Sequence, residues 1–285
     1  ASLALRLEFR RALSKDPLRR LQLKNCVLVK DVPDAAVQKR IDPGTMRLDR
    51  SGENTLNPFD THAIEAAMQL REGGELQVDE IVAVTMGTDS AARALQKAVA
   101  LGADRSVHLS DEALAGSDVC ATGLALAKVL QSENPDLVLL GQQSDDGECY
   151  TIGAVVADHL KMPSLTQVID MKVDGDKIRC ERQAEYGYDT VALTLPAVIS
   201  VGDAINEPRY PSLKAIMGAK KKPLDTKSVG DVGIEAGQVG EAGSQTAVLA
   251  LNDPPQKEAG EIIEDEDTAE TVEKIVAWLE ERKLI

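Results

Sequence analysis

Aromatic side chains are scarce in this chain: two Phe, four Tyr and one Trp among 285 residues. Single-stranded nucleic-acid binders need such rings as stacking platforms, so that class is disfavoured. Positive charge is also short. The formal net charge is −15, which argues against a general binder of phosphate backbones and against nucleic acid as a partner. The four cysteines, Cys26, Cys120, Cys149 and Cys180, form no CxxC pair. Reduced, mostly buried thiols are expected rather than a zinc site or a disulfide framework. His62, His108 and His159 stand alone, without metal-ligand spacing. No apolar run reaches the length needed to cross a bilayer, so direct membrane insertion is not expected. The chain carries neither GxGxxG nor GxxxxGKS/T, which removes a conventional dinucleotide fingerprint and a phosphate-transfer loop. No Ser/His/Asp constellation or close carboxylate pair points to a hydrolase.

Apolar residues are plentiful. At 43% they can fill a sizeable core without staples. Apolar runs at 25–33, 80–87, 106–110 and 136–143 read as strands. Helical patterns at 61–73, 89–103, 117–133 and 150–160 alternate with them. Asp60 or Thr61 is the expected cap of the first of these helices. This spacing predicts an α/β fold with a parallel core sheet and helices on both faces. The strands are Val/Leu runs rather than alternating patterns, as burial of both faces requires. The segment 41–55 reads as an excursion, in the form of a hairpin. After residue 165, four short stretches (166–175, 177–183, 189–195 and 197–203) predict an antiparallel extension, with VDGD and YGYD as turns. Residues 220–265 are rich in Gly, Asp and Glu and read as an extended arm. A helix over 268–284 ends the chain.

The first twenty residues are Arg-rich and amphipathic. They read as a transit-peptide remnant or as a helical extension, native or artificial, and the sequence does not choose. Three regions result: an N-terminal extension (1–22), a nucleotide-binding α/β domain (23–222), and a C-terminal arm and helix (223–285). Few cysteines and no secretory signal fit a reducing interior. Cytoplasm is expected, with the mitochondrial matrix as the alternative.

In an open parallel sheet, ligands bind beyond the carboxyl ends of the strands. Leu28-Val29-Lys30, Asn57-Pro58-Phe59, Met86-Gly87 and the run from Gly141 to Gly147 all fall at such ends. In the last of these a strand meets Gly141, then Asp145-Asp146-Gly147, then the helix that starts near Tyr150. Glycine permits close backbone approach, and a helix start offers free N–H groups to a phosphate. On spacing alone, a capped turn is the simpler account of DDG.

One stretch departs from the acidic background. In 205-INEPRYPSLKAIMGAKKKP-223, four lysines fall between Lys214 and Lys222. Taken alone it reads as a solvated basic helix end, stiffened by Pro208 and Pro211.

Together these segments resemble the beta (small) subunit of electron transfer flavoprotein. The resemblance is carried by 27-VLVKDVPD-34, 56-LNPFDTHAIEAAMQL-70, 84-VTMG-87, 97-KAVALGADRSVHLSD-111, 137-LVLLGQQSDDGE-148, 195-LPAVISV-201, 207-EPRYPSLKAIMGAKKKP-223 and 253-DPPQKEAG-260. It runs from about residue 23 to the end. It implies a nucleotide-hydrolase-like α/β fold without hydrolysis, in an electron carrier subunit that performs no reaction of its own. The implied partners are an alpha subunit, flavin-dependent dehydrogenases and an acceptor such as a quinone oxidoreductase. FAD is held mainly by the alpha subunit. The beta subunit holds an AMP, or in bifurcating members a second FAD with NADH close by. A non-redox nucleotide-binding sensor is the rival from another class.

The resemblance places the nucleotide at Leu28, Asn57, Met86, Gly141, Asp145, Gly147, Glu148, Cys149, Tyr150 and Thr151. It places Phe59 near the alpha-subunit flavin. It makes 205–223 a recognition loop with Leu213 as the anchor, beside Arg209, Tyr210, Ile216, Met217, Lys220 and Lys221. The run DDGECYTIGAV departs from the pattern usual in bifurcating members, whereas 111-DEALAGSDVCATGLALA-127 looks like a segment they share with several bacterial non-bifurcating ones. AMP and FAD both stay open on this reading.

Overall fold

The computed structural model describes residues 22–73, 77–174, 177–251, 260, 262 and 267–285. The expected extension over 1–21, the end of the VDGD turn, and most of 252–266 lie outside the described residues.

A nine-stranded sheet organises the larger unit, which spans residues up to Val248. Its centre is built from β1 (Gln22–Leu28), β6 (Gln77–Met86), β7 (Arg105–Leu109), β8 (Leu137–Gly141) and β12 (Ala197–Val201), all parallel. Alternation along β1 explains why two layers of helices form. Val27 packs on one face with α1 (Pro58–Glu72) and α2 (Ala92–Leu101), through Ile64, Ala67, Leu95 and Ala98. Cys26 and Leu28 pack on the other with α3 (Val119–Glu133) and α4 (Ile152–Leu160), through Leu126, Leu130 and Val156. Both faces are therefore dry, as the unbroken apolar strands predict. Burial also pushes the Cys26 and Cys180 thiols up, the latter to about 12.

Small residues set the helix spacing. A Cβ at Gly123 of α3 would lie 2.4 Å from Val155 of α4. Gly102 ends α2 at φ 143, where a Cβ would strike Met68. Glycine alone meets both demands there.

Three expectations need correction. Of the four stretches after residue 165, the first three, β9 (Ser164–Asp174), β10 (Lys177–Ala184) and β11 (Gly187–Thr194), pair antiparallel in succession as expected, and the fourth does not. β12 pairs parallel with the other edge of β9 and lies inside the sheet beside β8. The reason is visible in AVISV, a fully buried apolar run of the core type. Second, the arm does not begin at 223. β13 (Leu224–Lys227) joins the far edge against β7, and Ile234 and Val239 are buried with the α3 face. Third, Asp60 does not cap α1. Asn57 holds the cap position, Pro58 follows it, and Asp60 points inward.

The expected excursion is present as the hairpin β3 (Ile41–Asp42) and β4 (Arg47–Leu48), between β2 (Asp31–Pro33) and β5 (Asn54–Leu56). At the amino edge of the sheet, Arg105 pairs with Glu80 and Glu133, and Lys24 reaches the same two carboxylates at 3.3 and 3.7 Å. That edge neutralises itself. The candidate site lies at the opposite, carboxyl edge.

Residues 249–285 form the second unit. Its helix, Thr268–Glu281, is capped by Asp267, which accepts from Ala269 N at 2.9 Å. Val272, Ile275, Val276 and Trp278 are exposed on it, and the guanidinium of Arg282 lies 4.1 Å from the Trp278 ring centre. No described helix is long and apolar enough to cross a membrane.

Candidate functional site: a cleft at the carboxyl edge of the sheet

The ends of β1, β6 and β8 and the starts of α1, α3 and α4 enclose a cleft of about 350 Å³. Leu28, Met86, Leu126, Leu140, Cys149 and Ile152 supply apolar wall. Lys30, Asn57, Asp60, Ser117, Asp118, Thr122, Gln143 and Ser144 supply polar groups. Convergence of a few polar groups on an apolar cavity is the usual form of a small-molecule site. None of the lining residues is aromatic, so a flat ligand would lie against aliphatic and thioether side chains. Among the described residues no group of His, Cys, Asp and Glu is placed to hold a metal.

Asn57 frames the cleft. Its Nδ2 donates to Gln143 O at 2.9 Å, and its Oδ1 accepts from Asp145 N at 3.1 Å. This amide spends its side chain on the loop after β8 instead of on its own helix. Asp60, one turn on, accepts from Lys30 N at 2.8 Å and from Gly141 N at 3.2 Å. It thereby ties the ends of β1 and β8. Burial pushes its carboxyl up to about 7, against the lowering effect of Asn57 and the two backbone donors. Gly141 is required by this contact. A Cβ there would stand 2.7 Å from Asp60 Oδ1 and from the Phe59 carbonyl carbon.

Asp146 shows the opposite behaviour. Burial would raise its pKa, but Lys30, Ser144 and Arg50 outweigh it and hold the group at about 2. Lys30 Nζ lies 2.8 Å from Asp146 Oδ1 and donates to Ser144 Oγ at 3.1 Å. Arg50 comes from the hairpin excursion and pairs with the other oxygen. Lys39, just before β3, donates to Asp145 O at 2.8 Å.

On the α3 side, Asp118 caps the helix by accepting from Ala121 N at 2.9 Å. Its second oxygen accepts from Gln245 N, Thr246 N and Thr246 Oγ1 at 2.8, 3.0 and 3.0 Å.

The chain is similar to known proteins along most of its length. A profile of the electron transfer flavoprotein domain matches residues 45–232. The electron transfer flavoprotein subunit beta of Mycobacterium tuberculosis is 40% identical over 263 residues, covering 91% of this chain and 98% of that protein. The bovine (Bos taurus) subunit beta is 36% identical over 263 residues, with the same coverage. The caffeyl-CoA reductase-Etf complex subunit CarD of Acetobacterium woodii is 35% identical over 261 residues, again with 91% and 98% covered.

The chain belongs to the electron transfer flavoprotein subunit beta family.

Of the residues that the family resemblance singled out, the fold brings Leu28, Asn57, Met86, Gly141 and Cys149 together on the cleft wall. Asp145, Gly147, Glu148, Tyr150 and Thr151 stand on the loop that borders the cleft without lining it. Glu148 sits there at φ 45, and Thr151 Oγ1 is 3.1 Å from Cys149 Sγ. A Cβ at Gly147 would meet nothing closer than Ser144 Oγ at 3.4 Å. Phe59, half-buried, lies against Gly141 beside the cleft rather than in it.

Sequence reasoning missed Asp60 as a lining residue and overlooked the wall from Ser117 to Leu126. A signal for the second was available. An Asp cap before an apolar helix that follows a parallel strand must start at the same edge as Gly141.

Of the other predicted residues, Tyr210, Leu213 and Met217 are exposed by 95%, 81% and 74%, and Ile216, Lys220 and Lys221 are exposed beside them. Arg209 is different. It turns inward onto α1.

Proposed function

We propose that this chain is the beta subunit of a heterodimeric electron transfer flavoprotein, that its cleft holds AMP, and that residues 209–221 belong to a surface that docks flavin-dependent dehydrogenases. The chain makes and breaks no bonds in this reading. It is a cytoplasmic carrier subunit that passes electrons to an acceptor such as a quinone oxidoreductase. The redox chemistry is supplied by the FAD held mainly by the alpha subunit, with Phe59 at the flavin side. The exposed apolar stripe of the 268–281 helix is the surface offered to that alpha subunit.

The observation that carries the nucleotide reading is the cleft itself. It stands at the carboxyl edge of a parallel sheet, where such folds bind ligands. Its volume lies at the small end of the roughly 300–1,000 Å³ spanned by ligand pockets, which suits a mononucleotide. Gln143, a lining residue, has a buried Oε1 without a hydrogen-bond partner. A ligand N–H or O–H would satisfy it. Lys30 supplies positive charge at the loop where a phosphate would rest, and Leu28, Met86 and Cys149 give a polarisable wall for a purine.

A second reading, FAD in the same cleft, is favoured by two observations. The similarity extends to a subunit of a reductase complex, and the wall from Ser117 to Thr122 lengthens the cleft beyond the loop after β8. One experiment separates the readings. The chain is purified with its alpha subunit, and the nucleotides are extracted and counted. One AMP and one FAD per heterodimer is the expected result. Two FAD would establish the second reading, and no flavin would point to a nucleotide sensor.

A further inference from the structure

We infer that Arg209 is a positioning residue for docking: it clamps the segment that presents Leu213 onto α1, and does not itself touch the partner. This rests on the docking reading of residues 209–221.

A guanidinium carries five N–H donors in a fixed fork. In Arg209, Nε donates to Glu65 Oε2 at 2.6 Å and Nη2 donates to Glu65 Oε1 at 3.0 Å. Nη1 and Nη2 donate to the two oxygens of Glu72 at 2.7 and 2.9 Å. The backbone N of Arg209 adds a longer bond to Glu65 Oε2 at 3.3 Å. Four of the five side-chain donors are thus spent within the subunit. Glu65 and Glu72 stand about two turns apart on one face of α1, so the fork spans the helix surface. The buried Glu65 has its charge met by this pairing.

A second tether precedes the clamp. Asn206 Nδ2 donates to His62 O at 3.0 Å, and His62 Nδ1 lies 3.0 Å from Asn206 O. Residues 206–209 are therefore sewn along α1 from His62 to Glu72. The next residues lead into α5 (Leu213–Ala219), whose start is capped by Ser212 Oγ accepting from Ala215 N at 3.2 Å. Beyond its far end, Lys222 Nζ donates to Ala103 O at 2.8 Å. Between those two fixed ends, Leu213, Ile216 and Met217 face outward.

The division of labour follows. Asn206, Arg209 and Lys222 are turned inward and hold the segment, while Leu213, Ile216 and Met217 are left for another surface. An anchor held in place before encounter loses less freedom on binding. Lysine at 209 keeps the charge but has a compact ammonium, without the planar fork that meets both oxygens of each carboxylate.

The test uses the full heterodimer as electron acceptor for a flavin-dependent dehydrogenase that the wild type accepts, measuring kcat and KM. The variants are Arg209→Lys, Glu72→Gln, Leu213→Ala and each clamp change combined with Leu213→Ala. Glu72→Gln leaves the Glu65 pairing intact and covers the case in which Arg209→Lys folds poorly. Both clamp changes are expected to raise KM by about tenfold, the equivalent of one immobilised side chain released. The expected kcat, flavin and nucleotide content are unchanged. On the Leu213→Ala background neither clamp change raises KM further, because the residue being positioned is gone.

Full additivity of the two changes, or a clamp effect that fades with salt as a direct ion pair to the partner would, overturns the inference. If Leu213→Ala itself leaves KM unchanged, the docking reading falls and the inference falls with it. That outcome is distinguishable, because it does not depend on the clamp variants.

Discussion

The two ends of α1 serve opposite purposes. At its start, Asn57 and Asp60 face a cleft in which charged groups meet partners inside the subunit. Near its other end, Glu72 joins Glu65 in holding a segment whose Leu213 and Met217 side chains are left largely exposed. The cleft is apolar wall with polar groups placed on it, and the segment is polar root with apolar tips. A cavity of the first kind receives a small molecule. A surface of the second kind suits another protein, because an exposed leucine beside an exposed methionine on a capped helix gains only when covered. One helix thus carries both the groups that face the cleft and the groups that hold the outward segment, and substitutions at each end should separate them.

The largest expected effect breaks the symmetry at the cleft end. Asp60 has a folded pKa of about 7 against an ordinary value of 3.8. Between about pH 4 and 7 the folded chain keeps a proton that the unfolded chain has lost. Stability therefore falls as pH rises through that window, by about 4 kcal/mol in total. Above pH 7 the cost is complete and the slope ends. Asp146 works with the other sign: held at about 2, its contribution is present above the ordinary carboxylate pKa and is lost as pH falls toward 2. Urea midpoints measured from pH 4 to 8 check this. Asp60→Asn should flatten the profile relative to wild type, even though the amide offers one acceptor oxygen to two backbone donors and is less stable near pH 5. Parallel profiles would show that Asp60 is charged throughout.

Much of this architecture is legible in the sequence, for a physical reason. Strands buried on both faces must be apolar throughout, so the core strands announce themselves as Val/Leu runs. β13 did not, because Leu224–Lys227 is an edge strand with three of its four residues exposed. It needs no apolar pattern, only backbone pairing with β7. Asp60 was misread because a carboxylate near a helix start ordinarily caps it. Here the strand ends at Lys30 and Gly141 offer two unpaired N–H groups, and only the folded sheet brings them within reach. The inward turn of Arg209 was invisible for the same reason: Glu65 and Glu72 lie 144 and 137 residues away in the chain.

A second pair of substitutions sharpens the distinction within the cleft, between a glycine that the fold needs and one that only a ligand needs. Gly141→Ala puts a Cβ 2.7 Å from the backbone of Phe59, an overlap expected to cost roughly 1–3 kcal/mol. Gly147→Ala meets Ser144 Oγ at an ordinary 3.4 Å, so stability should stay within about 0.5 kcal/mol of wild type. Nucleotide content should nevertheless fall in Gly147→Ala if a phosphate approaches that backbone. Thermal melts and extracted nucleotide read the two outcomes separately. A melting-temperature loss in Gly147→Ala equal to that in Gly141→Ala would erase the distinction.

The smallest effect lies at the docking end, among three adjacent lysines that the sequence presents as equivalent. Lys222 is committed to the fold through its bond to Ala103 O. Lys220 and Lys221 are exposed. Charges at the rim of an apolar anchor steer encounter more than they hold the complex, and salt screens them. Replacing Lys220 and Lys221 with Gln should slow association with a dehydrogenase at low ionic strength, by roughly a few-fold, and leave the rate near wild type once the Debye length falls to about 8 Å at physiological salt. Lys222→Gln removes one hydrogen bond of an exposed side chain to the backbone and should cost about 0.5–1 kcal/mol of stability instead. Stopped-flow association rates across a salt series, set beside thermal melts, resolve the two classes. If all three lysines shift the salt dependence equally and none shifts the melt, Lys222 belongs to the rim, and α5 lacks the second tether that holds Leu213 in place.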